Sequence, residues 1–202
     1  MQPEIIFYII VLIYSIILHE IAHGWAAYLF GDKTAFYNNR LTLNPIPHID
    51  PIGSVLLPAM LIFSGSPMFL GWAKPVPVSE HNLNPYELGK FSVSIAGVAV
   101  NILLSVIFVF IGSQLADVNL KQLAFIVALV NAGLAIFNLI PFPPADGYRI
   151  IENFLPLSIQ RQADNLLQQY FFFTIVGAIL LASLIFRVVF PPVYNLIYIS
   201  IF

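Results

Sequence analysis

His19-Glu20-Ile21-Ala22-His23 puts two imidazoles four residues apart, on one face of any helix that carries them. Both rings can then grip one metal ion, with Glu20 alongside, in reach of a water on that ion. Two histidines, a third ligand and one open position make a zinc-dependent hydrolytic site. A soluble metalloprotease would carry this pattern on an amphipathic helix. Here residues 5–18 hold no charge, and residues 21–30 add none beyond the motif. Ionisable groups at membrane depth are costly, so three of them together need a function to explain them. The bland alternative is a histidine pair bonded within a helix bundle, beside a protonated Glu20.

The third ligand must be a carboxylate or another imidazole, because the chain has no cysteine. Disulfides, thiolate ligands and thiol nucleophiles are excluded with it. Asp146, Asp50, His48 and His81 are the candidates. Asp146 closes the stretch Asn138-Leu139-Ile140-Pro141-Phe142-Pro143-Pro144-Ala145-Asp146-Gly147, whose prolines unwind a helix within or just below the membrane. Spacing alone leaves two roles open for Asp146, metal ligand or N-cap of a helix starting near Tyr148. His48 and His81 read as surface or supporting residues rather than ligands. Asn131 and Asn138 lie seven apart on one helix and face one direction; for Asn131 the plain reading is interhelical hydrogen bonding. Asn101 reads as a packing residue supporting the metal helix.

The elements that must position these groups are apolar. Of 202 residues, 59% are hydrophobic and 9% charged, with a mean hydropathy of +0.90. Soluble domains carry about 25% charged residues, so the chain reads as one all-α polytopic membrane domain. Residues 5–30, 91–115, 123–140 and 170–190 are expected to span; about 20 residues cross a bilayer core. Residues 51–72 are broken by Pro58 and by Gly65-Ser66-Pro67. Residues 152–169 suit an amphipathic surface helix, and 193–202, after Pro191-Pro192, an interfacial tail. The catalytic core would be about 5–155, with 170–190 accessory. The first segment lacks a basic leader and is too long for a signal peptide, so it should be retained. The net charge of -2 and the lack of a basic run argue against nucleic acid.

Topology follows from the ligands. The first helix exits on one side, B, close to its histidines, and Asp146 requires the fourth segment to run toward B as well. Residues 31–90 must then begin and end on B, making 51–72 re-entrant. Six of the eight basic residues fall on side B, so B should be cytoplasmic. Side A would hold Lys121 and, near the end of the last helix, Arg187. Trp72 to Val78 alternates proline and valine, a short extended, strand-like region near the metal; an unwound substrate could pair with it. The alternative reading of this stretch is an ordinary interfacial loop.

An early His-Glu-x-x-His in an apolar helix, with Asn138-Leu139-Ile140-Pro141 and Asp146-Gly147 near a later span, resembles the site-2 protease family of intramembrane zinc metalloproteases. Leu43-Asn44-Pro45, His48-Ile49-Asp50-Pro51-Ile52-Gly53, Gly71-Trp72-Ala73-Lys74-Pro75-Val76-Pro77-Val78 and Ala96-Gly97…Asn101 resemble its compact branch without appended soluble modules. The likeness covers roughly residues 15–155. It implies His19, His23 and Asp146 as ligands of one Zn2+, Glu20 as catalytic base and Asn138 as a polar group beside the scissile peptide. It implies a membrane-protein substrate within the lipid bilayer; the cell membrane is the expected location, with the active site toward the cytoplasm by the count of basic residues, and any regulatory membrane partner is unidentified. Val98 and Ala145 depart from the family's usual proline and leucine, which touches helix packing and substrate fit only. Two other functions compete. A CAAX-type membrane metalloprotease would take a later glutamate from an apolar helix, and Glu80, Glu87 and Glu152 do not sit in one. A metal transporter or inactive chaperone would place acidic or His residues in several spans, and the third and fifth segments have none.

Overall fold

The computed structural model describes residues 3–56, 60, 63, 72–143 and 145–202. Four of its helices are long and apolar enough to cross a membrane, over Glu4–Leu29, Tyr86–Gln114, Val118–Asn138 and Leu180–Ile201. The fold is all-α, as the sequence predicts, and the protein is an integral membrane protein. In chain order the helices are α1 (Pro3–Leu29), α2 (Thr34–Tyr37), α3 (Tyr86–Gln114), α4 (Val118–Asn138), α5 (Asp146–Glu152), α6 (Leu157–Gln169) and α7 (Phe171–Ile201). Short 3-10 turns occupy Ile46–His48 and Glu80–Asn82, and a wide π-type turn Pro51–Leu56.

Helix α3 is the hub: it packs against α1, α4, α5 and α7. Its N-terminal half lies beside the C-terminal half of α1, since Val93 shares a cluster with Ala27 and Leu83. Thus α3 runs antiparallel to α1, and α4, joined to α3 by a short turn, runs parallel to α1. That is the arrangement the ligand argument requires. Asp117 starts α4 by accepting from the amides of Asn119 and Leu120, relieving two of the donors a helix N-terminus leaves bare.

The last helix departs from expectation. Instead of stopping at residue 190, α7 runs through Pro191 and Pro192 to Ile201, so residues 193–201 are helix rather than an interfacial tail. Missing proline donors are tolerated in a membrane helix when tertiary contacts hold it together. Here Ile197 and Ile201 are buried against Ala128 and Ala132, whose small side chains let the helices close up. The Lys121 ammonium also donates to the Ile201 carbonyl at 2.6 Å, satisfying an orphan acceptor at the helix end. Arg187 consequently sits fourteen residues before that end, in mid-helix and exposed.

The expected re-entrant segment 51–72 lies mostly outside the described residues, including the Gly65-Ser66-Pro67 break. Its two ends are described, and they meet. The Trp72 amide donates to the Gly53 carbonyl at 3.2 Å, and Ser54 Oγ donates to the Trp72 carbonyl at 2.8 Å. Gly53 is glycine because a Cβ would collide with the Trp72 indole. The segment therefore begins and ends at one level. Residues 72–79 that follow are neither helical nor laddered to another described strand.

What fixes that extended stretch is a buried carboxylate. Helix α1 ends in a Schellman motif: Asp32 N–H bonds the Ala27 carbonyl at 2.9 Å and Gly31 N–H that of Tyr28 at 3.1 Å. Gly31 takes the positive φ of 99° that this ending demands. Asp32, fully buried, then accepts from Thr34 Oγ1, the Thr34 amide (3.1 Å), the Ser79 amide (2.7 Å) and Asn82 Nδ2 (3.0 Å). Burial pushes this carboxyl up, but the bonds from Asn82, Thr34 and Ser79 outweigh it and hold it below the ordinary range. Its stabilisation is thus complete above the unfolded value of about 3.9 and is lost as pH falls through the lower folded value. Asp32→Asn is expected to cost about 1–3 kcal/mol at pH 7, because one amide NH2 would face donors. Unfolding followed in detergent from pH 7 to 2.5 should show the gap to wild type closing with acid; a constant gap would contradict this account.

Candidate metal centre

His19 and His23 lie on the α1 face turned toward α3 and α4. Their Nε2 atoms stand 3.1 Å apart, with the rings edge to face at 4.7 Å between centroids. Asp146 joins them: its Oδ2 is 3.2 Å from each Nε2. Helix α4 ends at Asn138, the chain turns over residues 139–143, and α5 begins at Asp146. Asp146 is the first residue inside α5 rather than its N-cap, which is Ala145. That separates the two roles spacing left open, since the carboxylate points at the histidines. Gly147 permits the fold-back, because a Cβ there would strike the Leu139 and Ile140 carbonyls.

Each imidazole is oriented from behind. His19 Nδ1 donates to Asn101 Oδ1 at 2.7 Å, and His23 Nδ1 donates to the Val93 carbonyl at 2.7 Å. Both rings therefore carry their proton on Nδ1 and turn an Nε2 lone pair inward. With Asp146 Oδ2, which has no hydrogen-bond donor of its own, three acceptors converge without a proton among them. Such a set repels unless a cation sits inside it. A tetrahedral ion about 2.0–2.1 Å from each atom needs them about 3.3 Å apart, close to the spacing present. These three residues fit a divalent metal, and among the described residues they form the one group of three His, Asp or Glu side chains placed to hold one.

The other expected residues fall out as follows. Glu20 Oε2 accepts from the Val76 amide at 2.8 Å, so the extended stretch touches the site directly. Asn138 lines the same cavity of about 300 Å³ as the three ligands and Glu20, but its Nδ2 is tied to the Leu134 carbonyl one turn back. Asn131 bonds between helices, to Asn101 and Ser15. His48 is buried rather than superficial and donates to the Thr42 carbonyl; His81 is exposed; Asp50 caps the turn at Ile52 and Gly53. None of these three approaches the metal trio.

Pairing of a substrate strand with residues 72–78 is narrower than the sequence suggests. Pro75 and Pro77 have no N–H, and the amides of Lys74, Val76 and Ser79 are engaged by His48, Glu20 and Asp32. Carbonyls are what the stretch can chiefly offer.

Sequence reasoning missed how much α3 contributes. Val93, Gly97 and Asn101 are spaced by four and share one face. Val93 and Asn101 hold the rings, and Gly97 makes room, since a Cβ there would run into both imidazoles. The spacing was visible; what it faced was not. Gly97→Ala is expected to overpack the site by about 1–3 kcal/mol, lowering divalent-metal affinity by about tenfold or more. Metal content after dialysis against a weak chelator checks this, and a fully loaded variant would refute it.

Comparison with known proteins agrees with the geometry. A family model described as "Peptidase family M50" matches residues 109–183, which include Asn138 and Asp146. "Putative zinc metalloprotease YwhC" of Bacillus subtilis is 40% identical over 162 residues, 75% of this chain and 70% of that one. "Putative zinc metalloprotease Rip2" of Mycolicibacterium smegmatis is 34% identical over 151 residues, and Rip2 of Mycobacterium tuberculosis 32%; each match covers 73% of this chain and 56% of Rip2. No solved structure matches the chain. With such identity across more than two thirds of YwhC, and a family model covering the turn that carries Asp146, the chain belongs to peptidase family M50, the site-2 proteases.

Proposed function

We propose that the chain is an intramembrane zinc endopeptidase, with His19, His23 and Asp146 holding one zinc ion and Glu20 as general base. The observation that carries this is the convergence of two Nε2 lone pairs and a carboxylate oxygen within 3.2 Å, between helices that span a membrane. The zinc in the names of YwhC and Rip2 supports the choice of ion. Zinc held by two imidazoles and a carboxylate supplies Lewis acidity to the attacking water and the scissile carbonyl.

The remaining work falls to the chain. Glu20 takes a proton from the attacking water and delivers it to the departing amide nitrogen. Val76 N–H pins Oε2, so the proton is carried at the other oxygen, and the pin fixes the carboxylate's direction. In this reading Asn138 contacts the substrate beside the scissile bond, which requires its amide to leave the Leu134 carbonyl. A helical peptide bond is shielded, so the substrate is a transmembrane or membrane-proximal segment that unwinds at the cavity. The excess of basic residues on side B supports an active site toward the cytoplasmic face of the cell membrane.

The experiment is cleavage of a panel of tagged transmembrane segments by protein purified in detergent, with bound zinc measured in parallel. Glu20→Gln should keep zinc and lose about 10²–10⁴ in rate. Asp146→Ala should lose both zinc and cleavage. Wild-type rates surviving both substitutions would sink the assignment. Val76→Pro removes the pin without touching a ligand; zinc should stay bound while kcat falls, and an unchanged kcat would remove Val76 from the mechanism.

A further inference from the structure

Helix α3 supplies no ligand, yet a chain of amides through it dictates which nitrogen His19 presents. The chain is anchored at the Val127 carbonyl, which can only accept. Asn131 Nδ2 must therefore face it, at 2.9 Å, and the same nitrogen reaches Ser15 Oγ at 3.0 Å. That leaves Asn131 Oδ1 pointing at Asn101, whose Nδ2 donates to it at 2.9 Å. Asn101 is thereby turned with Oδ1 toward His19 Nδ1, at 2.7 Å. Flipping either amide would set donor against donor or acceptor against acceptor. Asn101 and Asn131 are fully buried and Ser15 nearly so, so no water can substitute.

We propose that Asn101, oriented by Asn131, is a positioning residue for the metal site, fixing His19 with its proton on Nδ1 and its Nε2 lone pair toward Asp146 and His23. His23 needs no such device, because the Val93 carbonyl cannot be anything but an acceptor. An asparagine can present either end, and so needs a second asparagine to choose. The simpler account is that the two amides only tie α1, α3 and α4 together. The two accounts differ in what they predict: a tie between helices affects stability, whereas a positioning residue affects metal affinity. The proposal rests on the reading that His19, His23 and Asp146 hold zinc.

The test is the zinc Kd of the full chain in detergent, from competition with a chromophoric chelator, with the melting midpoint of the metal-free protein measured alongside. Asn101→Leu keeps the volume and removes the acceptor; its Kd should rise about 10- to 100-fold, as for other residues behind metal ligands. A lower midpoint with an unchanged Kd in Asn101→Leu would overturn the proposal and leave the amides as helix ties. Should Asn101→Leu fail to assemble, Asn131→Leu takes its place: it leaves Asn101 in position but free to flip. Weaker zinc binding is expected there, and an unchanged Kd overturns the proposal equally. Wild type that binds no zinc would instead bring down the underlying reading of the site.

Discussion

Three lone pairs pressed to within 3.2 Å of one another inside an apolar bundle are what the rest of this molecule is arranged around. Left alone, such a cluster would relax by rotating a ring, or by flipping a proton onto Nε2. Neither escape is open. Both Nδ1 protons are claimed by acceptors on α3, and Gly97 keeps the same helix close enough to claim them. Asp146 cannot swing away, because the turn behind it depends on Gly147 lying against the Leu139 and Ile140 carbonyls. The protein holds the acceptors together in advance, so a cation meets a set that has already lost its freedom.

A second layer of control comes from outside the bundle. The Schellman ending of α1 throws Asp32 inward, and Asp32 gathers Thr34, Ser79 and Asn82. Ser79 is three residues from Val76, whose amide holds Glu20. Glu20 and Asp32 are twelve residues apart on the α1 side and act on the two ends of one short stretch. The direction of the Glu20 carboxylate thus depends on a hydrogen-bonded cluster at the end of the same helix.

Much of this was legible in the residues themselves. His19, Glu20 and His23 declare their chemistry by spacing, and the prolines before Asp146 mark an unwound helix end. Requiring those two features to meet gives the antiparallel order of α1 and α3. Other parts were not legible because they depend on distant partners. Pro191-Pro192 is a stop signal in isolation; it fails here because Ile197 and Ile201 have small-residue seats on α4 that no local pattern reveals. Asn101 looked like packing because an amide's role depends on which end it shows, and Asn131, thirty residues away and itself turned by Val127, decides that. No motif or spacing singles out Asp32, yet it is fully buried. Its importance lies in four donors drawn from two distant stretches of chain.

The joined ends at Gly53 and Trp72 carry a consequence for how this protein can vary. A stretch whose ends are clasped is, in thermodynamic terms, a closed ring attached at one point. Doubling the length of such a ring costs only about 0.6 kcal/mol in closure entropy. The clasp lies upstream of Lys74 to Val78, so whatever is added to or taken from the ring's tip leaves the spacing between Trp72 and Glu20's partner unchanged. The ring can therefore change length and composition while the Glu20 carboxylate beside it keeps its aim.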